Sequence, residues 1–287
     1  KITYSTVSKY LNANCELDLY PVYRLNESTL KVAEYFKPTT MPEIRIATAN
    51  GIAIDDKSLI DPTQKKGSKG EIPVYNYVGA TISVANAGDE YDFNDAIGQV
   101  KVRGNYTSTY DKKPIRIKFE KKQKMLGLNN NNQLKSWVLL AEWKDSSLLR
   151  NSYADLIGNS LFESDGFYCT DFRFVKVYLN GQYNGVYVLA EQQQIDKFRV
   201  NIPESKSETD GVNTGYMLEF DGYYKNEPQL QSFTVDYSGV KTLTNGFSIV
   251  NDIMNQAQHD YIAKATQSVF KVIYDATKRT HTNLDTA

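Results

Sequence analysis

Cysteine, histidine and tryptophan each occur only twice in these 287 residues. Cys15 and Cys169 are far apart, so the count alone excludes a disulfide framework or a cysteine-built zinc site. The two either pair with each other or are unrelated buried thiols. His259 and His281 have no ligand-type cluster beside them, which argues against a Ser-His-Asp hydrolase or a histidine-ligated metal enzyme. No apolar run approaches the roughly 18 residues that a membrane-spanning helix needs. A signal-peptide pattern is also missing, and the start at Lys1 reads as a mature protein or a cut fragment. Any chemistry is therefore expected to rest on Asp, Glu, Lys and Arg.

Charge is balanced overall, with 33 basic and 34 acidic residues, but it is not evenly spread. Lys101 to Lys124 holds nine Lys or Arg against two acids, Asp111 and Glu120, so the remainder carries 24 against 32. Within this window Arg103-Gly104-Asn105 suits a sharp turn whose backbone N–H groups can face an anion. Pro114 then opens a strand with Ile115, Ile117 and Phe119 on one face and Arg116 and Lys118 on the other. Lys112 and Lys113 stand at its start. The pattern reads either as guanidinium and ammonium groups offered to phosphates or as a solvated strand face. Tyr106 and Tyr110 lie nearby, but near-zero net charge and the lack of a nucleic-acid motif count against a nucleic-acid partner.

The rest of the chain reads as strand-rich α+β, without a regular βαβ repeat. Residues 1–25 look separate: either a β-hairpin or the tail of a preceding surface repeat, resembling the closing strands of an internalin-type B repeat. PEIRIATANG ends in a turn at Asn50-Gly51, DPTQKKGSKGEIP (Asp61 to Pro73) reads as a loop insertion, and YVGATISVANAG as a strand. A polar turn follows at Asn129 to Asn132, and SWVLLAEW as a buried segment. Asp145 or Ser146 is placed to cap a helix packed through Leu149, Tyr153, Leu156, Ile157 and Leu161. FRFVKVYLNGQYNGVYVLAEQ is a hairpin about Asn180-Gly181. Ile262, Ala265, Val269, Ile273 and Ala276 predict one face of a late amphipathic helix.

Further candidates stand outside the basic window. Arg150 and Asn151 fall at the start of the first helix, where free N–H groups and the dipole favour anions. Glu191 ends the hairpin's second strand, either as a solvated end or as the partner that holds a cation in place. Glu219 and Asp221 share a face of YMLEFD and can chelate magnesium together with phosphate oxygens, while Asp221-Gly222 is equally a turn.

Taken in order, RGN, KKPIRIKF, MLGL, SWVLLAEWKDSSLLRN, FVKVYLNGQYNGVYVLAEQ and GYMLEFD resemble the CotH family, the spore-coat-H-like atypical protein kinases. The resemblance covers residues 41–287. It implies an atypical kinase-like fold, ATP and Mg2+ as cofactors, and phosphate transfer to Ser or Thr of a surface or coat protein. It also implies an extracellular or cell-surface location, and the repeat-like residues 1–25 suggest neighbouring surface-repeat domains. It makes Arg103, Gly104, Lys113 and Arg116 phosphate contacts, and adds Arg150, Asn151 and Glu191 to the nucleotide site. Catalytic residues are not assigned, because the chain is taken to lack the family's later N-x-D and W-D-x-D motifs. The domain is expected to be incomplete and inactive as it stands. The alternative from another class is a surface adhesion or glycan- and protein-binding module, suggested by the 21 tyrosines. Glycoside hydrolysis has only Glu219 and Asp221 behind it.

Overall fold

Strict alternation is what shapes the first half of the molecule. In β4 (Val78–Ala85), Val78, Ala80, Ile82 and Val84 are buried and the residues between them are not. In β6 (Ile115–Gln123), Ile115, Ile117 and Phe119 turn inward, as their spacing predicts. A computed structural model describes residues 41–66, 71–236 and 245–284. In it β1 (Glu43–Thr48), β4, β5 (Phe93–Val102), β6, β7 (Leu134–Leu140), β9 (Gln182–Glu191) and β8 (Phe172–Leu179) join in that order into a closed barrel. Neighbours are antiparallel except at the seam, where β1 runs parallel to β8 from Glu43↔Lys176 to Ile46↔Leu179. Closure leaves no free edge. The interior is filled by side chains, among them Ile44, Ile82, Val100, Trp137, Val177 and Leu189.

The β8–β9 hairpin turns on two residues, as expected. Asn180 has φ 49° and Gly181 φ 80°, the positive pair that matches strand twist. Asn180 has a further use: its Oδ1 accepts from the Thr48 amide at 2.8 Å and from the Thr48 hydroxyl at 3.0 Å, tying the hairpin to the end of β1. The Asp61–Pro73 stretch is not the loop expected. β2 (Ile60–Lys66) and β3 (Ile72–Tyr75) pair as a separate two-stranded sheet, with Ile72 and Tyr75 buried. Its Lys and Gly content concealed short strands that carry few apolar residues. The expected element at residues 1–25 lies outside the described residues.

Both predicted helices form, and each packs through only part of its predicted face. α1 (Arg150–Phe162) leaves Tyr153 and Ile157 about half exposed, at 50% and 54%. It meets the barrel's outer face through Leu156, against Val138, Phe172, Val188 and Ala190. α2 (Gln256–Leu284) packs through Ile262, Ala263 and Phe270, with Val269 and Ile273 exposed. It lies on a three-stranded sheet of β10 (Leu218–Asp221), β12 (Gly246–Ile249) and β11 (Ser232–Phe233), where Phe247 stacks on Phe233 at 5.2 Å between ring centres. Periodicity specified helices; how much of each face is covered is decided by the sheet that each one meets.

At one end of the barrel Glu191, the last residue of β9, is almost fully buried. Its carboxylate accepts from Arg199 Nε at 3.0 Å, from the Asp171 amide at 3.1 Å and from Asn129 Nδ2. Arg199 also donates to the Ser136 carbonyl at 2.8 Å and lies over the Trp137 ring. Asn129 reaches in because Asn129, Asn130 and Asn131 all adopt left-handed backbone, which asparagine tolerates. Burial pushes the Glu191 carboxyl up, and its three donors pull against that. Glu191→Ala strands a buried guanidinium and is expected to lose about 3–5 kcal/mol of stability in urea unfolding. Loss of under about 1 kcal/mol, the range of exposed pairs, would show that this pair does not hold the barrel end together.

Candidate functional site

The arginines of the basic window have no carboxylate partner of this kind among the described residues. β5 ends at Val102 and β6 begins at Ile115, and the chain between them folds into a tight turn. The Arg103 amide donates to the Pro114 carbonyl at 2.9 Å, closing it. Gly104 has φ 95°, and a Cβ there would sit 2.0 Å from Thr107 Oγ1, so this position requires glycine on two counts. Lys113 folds back and donates to the Ser108 carbonyl at 3.1 Å, bracing the turn from within.

Because Ile115 and Ile117 point inward, Arg116 is forced to the outer face of β6, and Arg103 approaches it there. Burial lowers the proton affinity of the Arg103 guanidinium; the neighbouring Arg116 charge lowers it further, and Glu219 opposes them. Among the described residues neither arginine has a carboxylate within ion-pair distance. Arg116 Nε is buried without a hydrogen-bond partner. An unpaired buried donor costs about 1–3 kcal/mol, a cost that an anionic ligand can offset.

Arg103 lines a cleft of ≈ 450 Å³, within the usual range for ligand sites. Thr107, Tyr110 and Pro114 form one side, and the β7 exit from Leu140 to Asp145 forms the other, with Arg150 and Asn151 at the start of α1. Asp145 acts as a cap: it accepts from the Ser147 amide at 3.0 Å, the Ser147 hydroxyl at 2.7 Å and the Arg150 amide at 2.9 Å, and pairs with the Arg150 guanidinium. These donors hold its carboxyl far below the usual carboxylate range. Asn151 Nδ2 bridges both oxygens of Glu142 at 3.0 Å each. Arg103, Arg150 and Asn151 thus meet in one cleft, with Arg116 beside Arg103 and Gly104 shaping the turn. Glu191 sits elsewhere, in the buried pair with Arg199.

Lys112 was not among the expected site residues, yet it fastens the cleft's floor. Its ammonium donates to the Ala141 carbonyl at 2.8 Å and to the Val186 carbonyl, and lies 4.2 Å from the Tyr187 ring centre. Burial lowers its proton affinity and Glu142 opposes that. In sequence Lys112 and Lys113 are adjacent and indistinguishable; in the turn before β6 one reaches the Ala141 and Val186 carbonyls and the other the Ser108 carbonyl.

ATP and magnesium differ in how well these residues suit them. The cleft, with the Arg103 guanidinium unpaired by a carboxylate and Arg116 beside it, suits phosphate oxygens. Among the described residues no group of three or more His, Cys, Asp or Glu side chains converges, so they build no cage for a divalent cation. Glu219 is exposed on β10, and Asp221 accepts from the Tyr223 amide at 2.9 Å, a turn rather than a chelating pair.

Behind α1 a second cleft of ≈ 280 Å³ is lined by Asp155, Gly158, Tyr168, Cys169, Gln193 and Met217 among others. Burial, with the charges of Glu142 and Asp171, raises the Asp155 carboxyl to about 6. Its affinity for a proton is therefore higher in the folded than in the unfolded chain, so it removes stability as pH rises from about 4 to about 6. Asp155→Asn is expected to raise the melting temperature at pH 7 and to flatten its fall over that interval. An unchanged pH profile would contradict the assignment.

One sequence expectation is corrected by the sequence itself. Asn283-Leu284-Asp285 has the N-x-D spacing, although Asp285 lies outside the described residues; W-D-x-D is absent. Among the described residues no helix is long and apolar enough to cross a membrane. No curated protein matches the chain. The family model described as CotH kinase protein matches residues 100–285, a span that begins in β5 and contains the whole cleft. The chain belongs to the CotH family.

Proposed function

We propose that the cleft between the Arg103 turn and the β7 exit holds the triphosphate of ATP, as part of a kinase-type phosphotransfer to Ser or Thr of a coat or cell-surface protein. The observation that carries this reading is the Arg103–Arg116 pair: two adjacent guanidiniums, one with a buried unpartnered donor, beside a cleft of ligand size. Such groups match phosphate geometry and, fixed in advance, need no reorganisation when an anion arrives. CotH membership supports kinase-type chemistry and agrees with a coat or surface location.

In this reading Arg103 grips phosphate directly and Arg116 reinforces the local positive field. Gly104 permits the turn that brings Arg103 to the cleft. Lys113 acts through the backbone, by holding the Ser108 carbonyl in the same turn. Arg150 stands across the cleft with its side chain mostly exposed, placed to take a second phosphate oxygen at the start of α1. Asn151, through Glu142, fixes that wall. Magnesium, when present, screens the phosphate charges and travels with the nucleotide.

The adhesion or glycan-binding alternative has no specific observation in its favour, since the aromatic residues flanking this cleft are accompanied by unpaired cations. The 287-residue chain is expected to bind ATP without transferring phosphate, because its sequence has no W-D-x-D motif, which the family resemblance places among the catalytic acids. Calorimetric titration with ATP tests the first part: Arg103→Ala is expected to weaken binding roughly tenfold or more, the value of a charge-assisted hydrogen bond. Unchanged affinity in that variant would remove the cleft from the nucleotide site. Label transfer from γ-labelled ATP to the purified chain would contradict the second part.

A further inference from the structure

We propose that the cleft behind α1 binds a primary alkylammonium group, a free amine or a lysine side chain, through the carboxylate of Asp155. This assignment is independent of the nucleotide reading. The carboxylates around α1 are answered one by one, with a single exception. Asp145 accepts from Ser147 and Arg150, and Glu142 is bridged by Asn151. Asp171 accepts from the Asn129 amide at 3.1 Å and the Phe172 amide at 2.9 Å. Asp155 is part-buried in the cleft wall, and among the described residues it has neither a hydrogen bond nor an ion pair. Taking a carboxylate out of water without a partner is costly, and a bound cation offsets that cost.

The rest of the lining selects the kind of cation. Among the described residues no Lys, Arg or His lines this cleft. The charges that act on Asp155, those of Glu142 and Asp171, are both negative, so the local field favours a positive ligand. Arg199 acts on the neighbouring Tyr168, but it is already paired with Glu191. Burial, with the charge of Glu191, holds the Tyr168 phenol well above its ordinary range, so it stays a neutral aromatic wall, the kind of surface a cation favours. Val200 and Met217 offer apolar surface to a carbon stem. The Thr170 hydroxyl and the Gln193 amide, 3.5 Å apart, carry further acceptor oxygens. An ammonium group has three N–H donors, and the carboxylate, hydroxyl and amide oxygens can answer them. A divalent metal ion would find one carboxylate only, since no cluster of three ligating side chains converges among the described residues.

The full chain is titrated calorimetrically at neutral pH with n-butylammonium chloride and, separately, with the blocked peptide Gly-Lys-Gly, in potassium chloride of constant ionic strength. At least one probe is expected to bind, and the tighter of the two identifies the source of the amine. Asp155→Asn is expected to weaken that binding roughly tenfold or more. Its own expected gain in melting temperature separates lost binding from lost folding. Melting gives a second readout. A cation held by the ionised carboxylate lowers its proton affinity, so the bound probe flattens the fall in melting temperature between about pH 4 and about pH 6. The same probe leaves the profile of Asp155→Asn unchanged. If neither probe binds, or if Asp155→Asn binds as tightly as the unaltered chain, the site is overturned. If potassium displaces the probe at equal concentration, the cleft takes any monovalent cation and the alkylammonium assignment fails.

Discussion

The candidate site depends on the pleat of one strand. β6 must turn Ile115, Ile117 and Phe119 into the barrel, and a strand's period of two then leaves Arg116 no place but the outer face. The antiparallel register with β5 pairs Arg116 with Lys101 and Val102 with Ile115, so Arg103, two residues beyond Lys101, emerges on that same face. Two guanidiniums are thereby held near each other by the same apolar burial that closes the barrel. Neither cation can leave the face without a register slip that would expose the three apolar residues. The repulsion between them is a consequence of the fold, and an anion relieves it.

The two ends of this system show how similar residue types acquire opposite roles. Arg199 is buried, paired with Glu191, bonded to a backbone carbonyl and laid over Trp137, so a carboxylate answers its charge inside the protein, although its Nη1 is left without a hydrogen-bond partner. Arg103 and Arg116 are partly buried and have no comparable partner among the described residues. Lys112 lies between these cases, with its ammonium bonded to two carbonyls, which ties the exit of β7 to β9 and fixes the cleft wall opposite Arg103. What distinguishes structural from available cations here is whether acceptors were brought to them.

Much of the local structure was legible in the sequence because its causes are local. Asn180-Gly181 demands a two-residue hairpin and alternation specifies β4 and β6, whereas Asp145 stands five residues before its helix rather than at the expected N-cap position and reaches the Arg150 amide from there. Barrel closure was not legible, since the parallel seam between β1 and β8 joins segments more than a hundred residues apart. The helix faces were legible only in part: Leu156 and Ile262, both on the expected faces, meet the sheets, whereas Tyr153, Ile157, Val269 and Ile273 on the same faces stay exposed. Of the candidate site, Arg103, Arg150 and Asn151 were found from the sequence and do share a cleft. Glu191 was given two roles, and its pairing with a cation is the one observed, with Arg199 as a partner that nothing in FRVNIP identified. Lys112 carried no signal that set it apart from Lys113.

The central claim, that the fold presents an oxyanion-gripping pair to a nucleotide, is tested most directly by a crystal structure of the chain with a non-hydrolysable ATP analogue. The account predicts phosphate oxygens within hydrogen-bond distance of Arg103, in the cleft facing Trp143 and Asp145. An analogue bound elsewhere, for instance beside Asp155 behind α1, with Arg103 and Arg116 still facing water, would contradict it.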